Sequence, residues 1–143
     1  MTPVHVIATT LDGTRAALAT AVSLARGSKA SLLVLVPRIG LPDPEIEDDG
    51  IEAAAARYGE LARDLGATPR VEICECRSLD DLVSKVSAAA AVIVVGGPAG
   101  RWLTSPEERF AGRLARAGCQ VLFAASGTNT SQRRVVFTSA AIL

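Results

Sequence analysis

The chain has 143 residues, 49% of them hydrophobic, and 15 basic side chains balance 15 acidic ones. That length makes one domain, whose core buries about two-thirds of the unfolded surface, and the even charge excludes a nucleic-acid binder held by a clustered basic face. No apolar run reaches the roughly 18–20 residues of a membrane span, and Met1-Thr2-Pro3-Val4-His5 lacks the basic start and apolar stretch of a secretory leader, so a cytoplasmic protein with no membrane partner is expected.

In chain order, Val4 to Thr9 is a strand rich in β-branched residues. Asp12-Gly13-Thr14 has the chemistry of a turn and a helix cap. A helix from Arg15 to Arg26 then carries Leu18, Ala21, Val22 and Ala25 on one face, with Gly27 as its stop. Ser31 to Val36 is a near-continuous apolar run, the mark of a strand buried on both faces of a parallel sheet. Pro37, Pro42 and Pro44 define a loop. The next helix is predicted over Pro44 to Leu65, with an acidic first turn and a stripe that includes Ile51, Ala55, Tyr58 and Ala62. Pro69 to Cys76 alternates apolar with polar residues and reads as an edge or half-exposed strand that places Cys74 and Cys76 on one face.

Ser78-Leu79-Asp80-Asp81 resembles a capping box ahead of a helix lined by Leu82, Val83 and Val86. Ala91 to Val95 is a second fully apolar strand, running into Gly96-Gly97-Pro98-Ala99-Gly100. Ser105-Pro106-Glu107-Glu108 is a helix start with cap, proline and capping glutamate in their expected places. Gln120 to Ala125 is a fifth strand, and Arg133 to Phe137 is a candidate extra strand, either at the sheet edge or on a partner subunit.

Alternating strands and helices predict βαβ units with right-handed crossovers. The fold class is three-layer α/β/α with a five-stranded, mostly parallel sheet in the order 3-2-1-4-5. Residues 1–126 form the domain, and 127–143 form a C-terminal extension. Ligands of such sheets sit beyond the carboxyl ends of the strands, where the strand order reverses. The loops there are Thr9 to Thr14, Val36 to Gly40 and Gly96 to Ser105.

Several strings, in order and spacing, resemble the universal stress protein family across about residues 4 to 126. These are Val6-Ile7-Ala8-Thr9 with Asp12-Gly13-Thr14, Leu32-Leu33-Val34-Leu35-Val36-Pro37, Val92-Ile93-Val94-Val95-Gly96-Gly97, and Ala117-Gly118-Cys119-Gln120-Val121-Leu122. The resemblance implies the adenine-nucleotide α-hydrolase-like fold, a homodimer through the last strand, and ATP or AMP as a ligand. It also implies site positions. Gly97-Pro98-Ala99-Gly100 matches the first half of the family's phosphate loop, whose glycines let backbone N–H groups approach phosphate oxygens. The second half is absent: nine residues further on stand Phe110-Ala111, with Thr104 and Ser105 as the nearest hydroxyls. The aspartate that ends the first strand in ATP-binding members is replaced by Thr9-Thr10-Leu11, leaving Thr10 or the later Asp12 in its role. Val36 matches a position whose backbone contacts adenine. The candidate ligand residues are therefore Thr9, Thr10, Asp12, Val36, Gly97, Gly100, Thr104 and Ser105.

Competing readings stand beside these. Ser105 is a helix cap before it is a phosphate donor. Glu107 and Glu108 occupy the first turn, where an anion would otherwise bind, and repel a triphosphate. Trp102, the single tryptophan, suits base stacking, a partner anchor or packing over the sheet. His5 reads as a satisfied core or edge residue rather than a catalytic base, and the three cysteines as small buried apolar residues. No catalytic or metal-ligating constellation is visible, so enzymatic activity is not expected. The sequence supports a dimeric regulatory module that binds an unidentified protein partner, with weak or no nucleotide binding. The alternatives are an ATP- or AMP-binding member with a variant phosphate loop, and an enzyme of the wider fold group.

Overall fold

The structure, a computed structural model, describes residues 3–40, 50–89, 92–98 and 104–126, together with the backbone of 134–137. The elements in order are β1 (Val4–Ile7), α1 (Leu11–Ser28), β2 (Leu32–Ile39), α2 (Ile51–Asp64), β3 (Pro69–Cys76), α3 (Leu79–Ala89), β4 (Val92–Pro98), α4 (Pro106–Arg116), β5 (Gln120–Ser126) and β6 (Arg134–Phe137). β1 to β5 are parallel in the expected order 3-2-1-4-5. β6 adds a sixth strand, antiparallel to β5, with Val121 opposite Phe137. In this chain β6 pairs along the outer edge of β5.

The period of two along each strand divides the core. Val4, Val6, Val34, Val36 and Val94 face α1 and α2. Ile7, Ile93, Val95, Val121 and Phe123 face α3 and α4. Central strands covered on both faces have no polar side, which is why β2 and β4 read as unbroken apolar runs.

Several boundaries differ from those predicted. α1 begins at Leu11, so Asp12-Gly13-Thr14 is its first turn rather than a turn before it. Thr10 is the N-cap, its hydroxyl accepting from the Gly13 N–H at 3.0 Å. Gly27 does not stop the helix; Lys29, left-handed at φ 57°, receives that role and donates its N–H to the Ala25 and Arg26 carbonyls. Since nothing lies within 4 Å of a Cβ at Gly27, Gly27→Ala is expected to raise stability by about 0.5–1 kcal/mol, read from the urea midpoint.

β2 runs through Pro37 to Ile39 instead of ending at Val36. The Leu35 carbonyl faces β1, where it accepts from the Ala8 N–H at 2.8 Å. By alternation Pro37 faces the same side, beyond the end of β1, so its missing N–H costs no ladder bond. β4 likewise continues to Pro98, pairing Gly96 and Gly97 with Ala124 and Ala125. α2 starts at Ile51 behind Gly50 rather than at Pro44, and the expected acidic turn lies outside the described residues.

His5 is 3% exposed on the α3/α4 side, with Nδ1 3.2 Å from the Pro3 carbonyl. Burial pushes its pKa down, against smaller upward pulls from the Pro3 carbonyl and Glu72. The folded chain thus binds this proton less readily than the unfolded chain. Stability is expected to hold above pH 6.5 and to fall below it, by at most about 1.4 kcal/mol per pH unit. His5→Gln should flatten the urea midpoint between about pH 6.5 and 5, where the chain has no other histidine to titrate.

Candidate functional site

β1 is flanked by β2 and β4, and the chain leaves it in one direction and returns on the other side. That reversal opens a crevice at the carboxyl ends of the strands. The backbone leaving β1 is held at three points. The Ala8 N–H bonds the Leu35 carbonyl, and the Thr9 N–H donates to Thr14 Oγ1 at 2.9 Å. Thr9 Oγ1 donates to the Gly96 carbonyl at 2.5 Å. The last bond ties the start of α1 to β4.

This tie works because two glycines meet. A Cβ on Gly13 would stand 2.7 Å from Thr9 Oγ1, and one on Gly96 would stand 2.8 Å from the Gly13 carbonyl carbon and 3.1 Å from Ala17 Cβ. The first turn of α1 therefore lies backbone to backbone on β4.

Between the ends of β1 and β2 lies a cleft of about 350 Å³. Ala8 and Thr9 line it from the end of β1, Val36 and Ile39 from β2, and Ala54 and Tyr58 from α2. Such a volume lies within the range of small-molecule sites. Val36 is 4% exposed and Tyr58 8%, so the inner wall is firm, whereas Ile39 at 51% forms an open lip. Arg38 is also at the cleft, its guanidinium paired with Glu75 at 3.1 Å.

On the β4 side, among the described residues, side chains of the first turn of α4 occupy Gly97 and the helix start. Ser105 caps α4 in a full capping box: its hydroxyl accepts from the Glu108 N–H at 3.1 Å, and the Glu108 carboxylate accepts from the Ser105 N–H at 3.0 Å. Glu107 lies directly on Gly97, with its Cγ 2.5 Å from where a Cβ would stand. Glu107 Oε2 is buried with no hydrogen-bond partner among the described residues.

The sequence-derived candidates separate accordingly. Thr9 and Val36 line the cleft. Thr10 caps α1, and Asp12 is exposed in the first turn, 4.0 Å from Arg15. Gly97 is covered by Glu107, Ser105 is committed to its cap, and Thr104 is exposed. Gly100 and Trp102 lie outside the described residues. Sequence reasoning assigned Tyr58 to the core stripe and placed Arg38 and Ile39 in the Val36 to Gly40 loop without naming them as ligand residues; their position depends on β2 running past β1. Among the described residues no group of three or more potential ligands could hold a metal, and no helix is long and apolar enough to cross a membrane.

No protein-family model matches the sequence, and no curated protein matches it significantly. Its fold matches universal stress protein structures. One from Archaeoglobus fulgidus superposes with a TM-score of 0.68 at 20% identity, covering 86% of this chain and 93% of that one. A universal stress protein in complex with cAMP gives 0.63 at 21% identity, covering 88% and 98%. An Arabidopsis thaliana family member with AMP bound gives 0.58 at 18% identity, covering 90% and 95%. At these identities the likeness defines the fold: the chain has the universal stress protein fold, an α/β fold of the adenine-nucleotide α-hydrolase-like type.

Proposed function

We propose that this chain is a universal stress protein-type regulatory module of the cytoplasm, whose cleft takes the adenosine part of an adenine nucleotide weakly and gives the phosphates little. The observation that carries the reading is the contrast between the two halves of the crevice. One half is an open cleft between Val36 and Tyr58, walled by apolar side chains and polar groups together. In the other, Glu107 covers Gly97. Ligands of similar folds, AMP and cAMP, supply the chemical class. Phosphates gather where helix N-termini offer free N–H groups and a positive dipole end. Here Thr10 and Ser105 already cap α1 and α4, and each first turn carries acid, Asp12 in α1 and Glu107 with Glu108 in α4. The module works as a homodimer through the outer edge of β6, which among the described residues pairs only with β5 and so invites a second strand, and it passes its state to a protein partner.

The test is calorimetric titration with adenosine, AMP, and ATP with magnesium. Adenosine and AMP should bind alike, with Kd of about 0.1–1 mM. Ala54→Trp, which fills the cleft from α2, should abolish both. Micromolar ATP binding would instead establish a phosphate-binding member with a variant loop, and no heat from adenosine at millimolar concentration would remove the nucleotide from the account.

A further inference from the structure

At the edge opposite β6, β3 pairs only with β2 among the described residues. Its side chains alternate, so Cys74 and Cys76 share a face, and their sulfurs lie 3.5 Å apart. Cys76 is buried against the cluster containing Leu82 and Val86 of α3, and Cys74 is half-buried beside it. Burial, then the hydrogen bond with Cys74, push the Cys76 thiol up to about 11, so it keeps its proton at neutral pH.

The spacing selects among the chemistries open to two thiols. A disulfide requires sulfurs about 2.05 Å apart and Cα atoms within about 6.8 Å. Residues two apart on a strand stand about 6.6 Å apart, at that limit, so oxidation would have to bend β3. A linear two-coordinate ion with bonds of about 2.3 Å would need the sulfurs about 4.6 Å apart. A structural zinc needs four ligands and deprotonated thiols; no third ligand stands nearby among the described residues. With the same bond length, a sulfur separation of 3.5 Å corresponds to an angle of about 100° at the central atom. That is the angle of a pyramidal centre with three bonds and a lone pair.

We propose that Cys74 and Cys76 form a bidentate binding site for a trivalent organoarsenical. The two sulfurs and the organic group complete the arsenic valence, so no further protein ligand is required. The step is ligand exchange with no change of oxidation state. RAs=O takes both sulfurs, two As–S bonds form, the arsenic–oxygen bonds break, and the oxygen leaves as water with both thiol protons. A protonated Cys76 is therefore no obstacle. The free edge of β3 and the half-buried Cys74 provide access.

The reduced full-length chain titrated with phenylarsine oxide should take up one arsenical, read by intact mass, and, labelled with maleimide after unfolding, show one reactive thiol in place of three. The adduct should survive excess glutathione and be released by dithiothreitol. Cys74→Ser and Cys76→Ser should each weaken binding by roughly 10²–10⁴-fold, the gain of a second linked bond. Cys119→Ser, at a thiol buried beside β5, should bind as the wild type does. Cys76 is a core residue, so Cys74→Ser carries the decision should the other variant fail to fold. Equal binding by wild type and Cys74→Ser, uptake only in urea, or loss of uptake in Cys119→Ser would overturn the site.

Discussion

Gly96→Ala is expected to cost at least about 3 kcal/mol of stability, the upper range for overpacking, or to prevent folding. The added methyl would meet the Gly13 carbonyl group, 2.8 Å from its carbon, and Ala17 Cβ at 3.1 Å. Neither neighbour can rotate away. Gly13 is backbone, held by the Thr10 cap at 3.0 Å, and the Gly96 carbonyl is fixed by Thr9 at 2.5 Å. Relief would require lifting the start of α1 off the sheet, which would also break the Thr9 bonds and open the cleft floor. The urea midpoint should fall with an unchanged slope. Gly13→Ala should cost a similar amount, and the double substitution less than the sum, since both act on one contact. A loss under about 1 kcal/mol for Gly96→Ala would mean that this glycine pair does not fix α1 on β4.

Glu107→Gln is expected to tighten AMP binding while leaving adenosine unchanged. The substitution keeps the side-chain volume over Gly97 and removes the charge. An anion at a helix N-terminus gains or loses about 1–2 kcal/mol from one such charge, roughly five- to thirtyfold in affinity. Adenosine has no phosphate and is the internal control. If AMP and adenosine tightened together, Glu107 would be acting through the shape of the site rather than through its charge. If neither changed, the phosphate would lie away from α4.

The sequence carried the fold through features that act locally or repeat. Apolar runs at Leu32–Val36 and Val92–Val95 mark strands covered on both faces, and Ser105 with Glu108 writes the start of α4 directly. The misread boundaries depend on distant partners. Gly13 sits inside a helix because Gly96 is opposite it. Pro37 continues β2 because β1 has already ended. Lys29 accepts a left-handed cap that the local sequence assigns to Gly27. The crevice shares this non-local character. Its place between the ends of the strands follows from the strand order. That Tyr58 turns one side to the cleft, or that Glu107 rather than a ligand covers Gly97, depends on how α2 and α4 pack on the sheet. The glutamates were visible as charges in sequence, and their position above the glycine was not.

The most direct measurement of the central claim is an amide NMR titration of the isotope-labelled chain with adenosine and AMP. The account predicts saturable shifts centred on Ala8, Thr9, Val36, Ile39 and Tyr58, similar for both ligands, with AMP adding smaller shifts at Glu107 and Glu108. Shifts concentrated at the start of α4 with AMP alone, or no saturable shift at the cleft with either ligand, would contradict it.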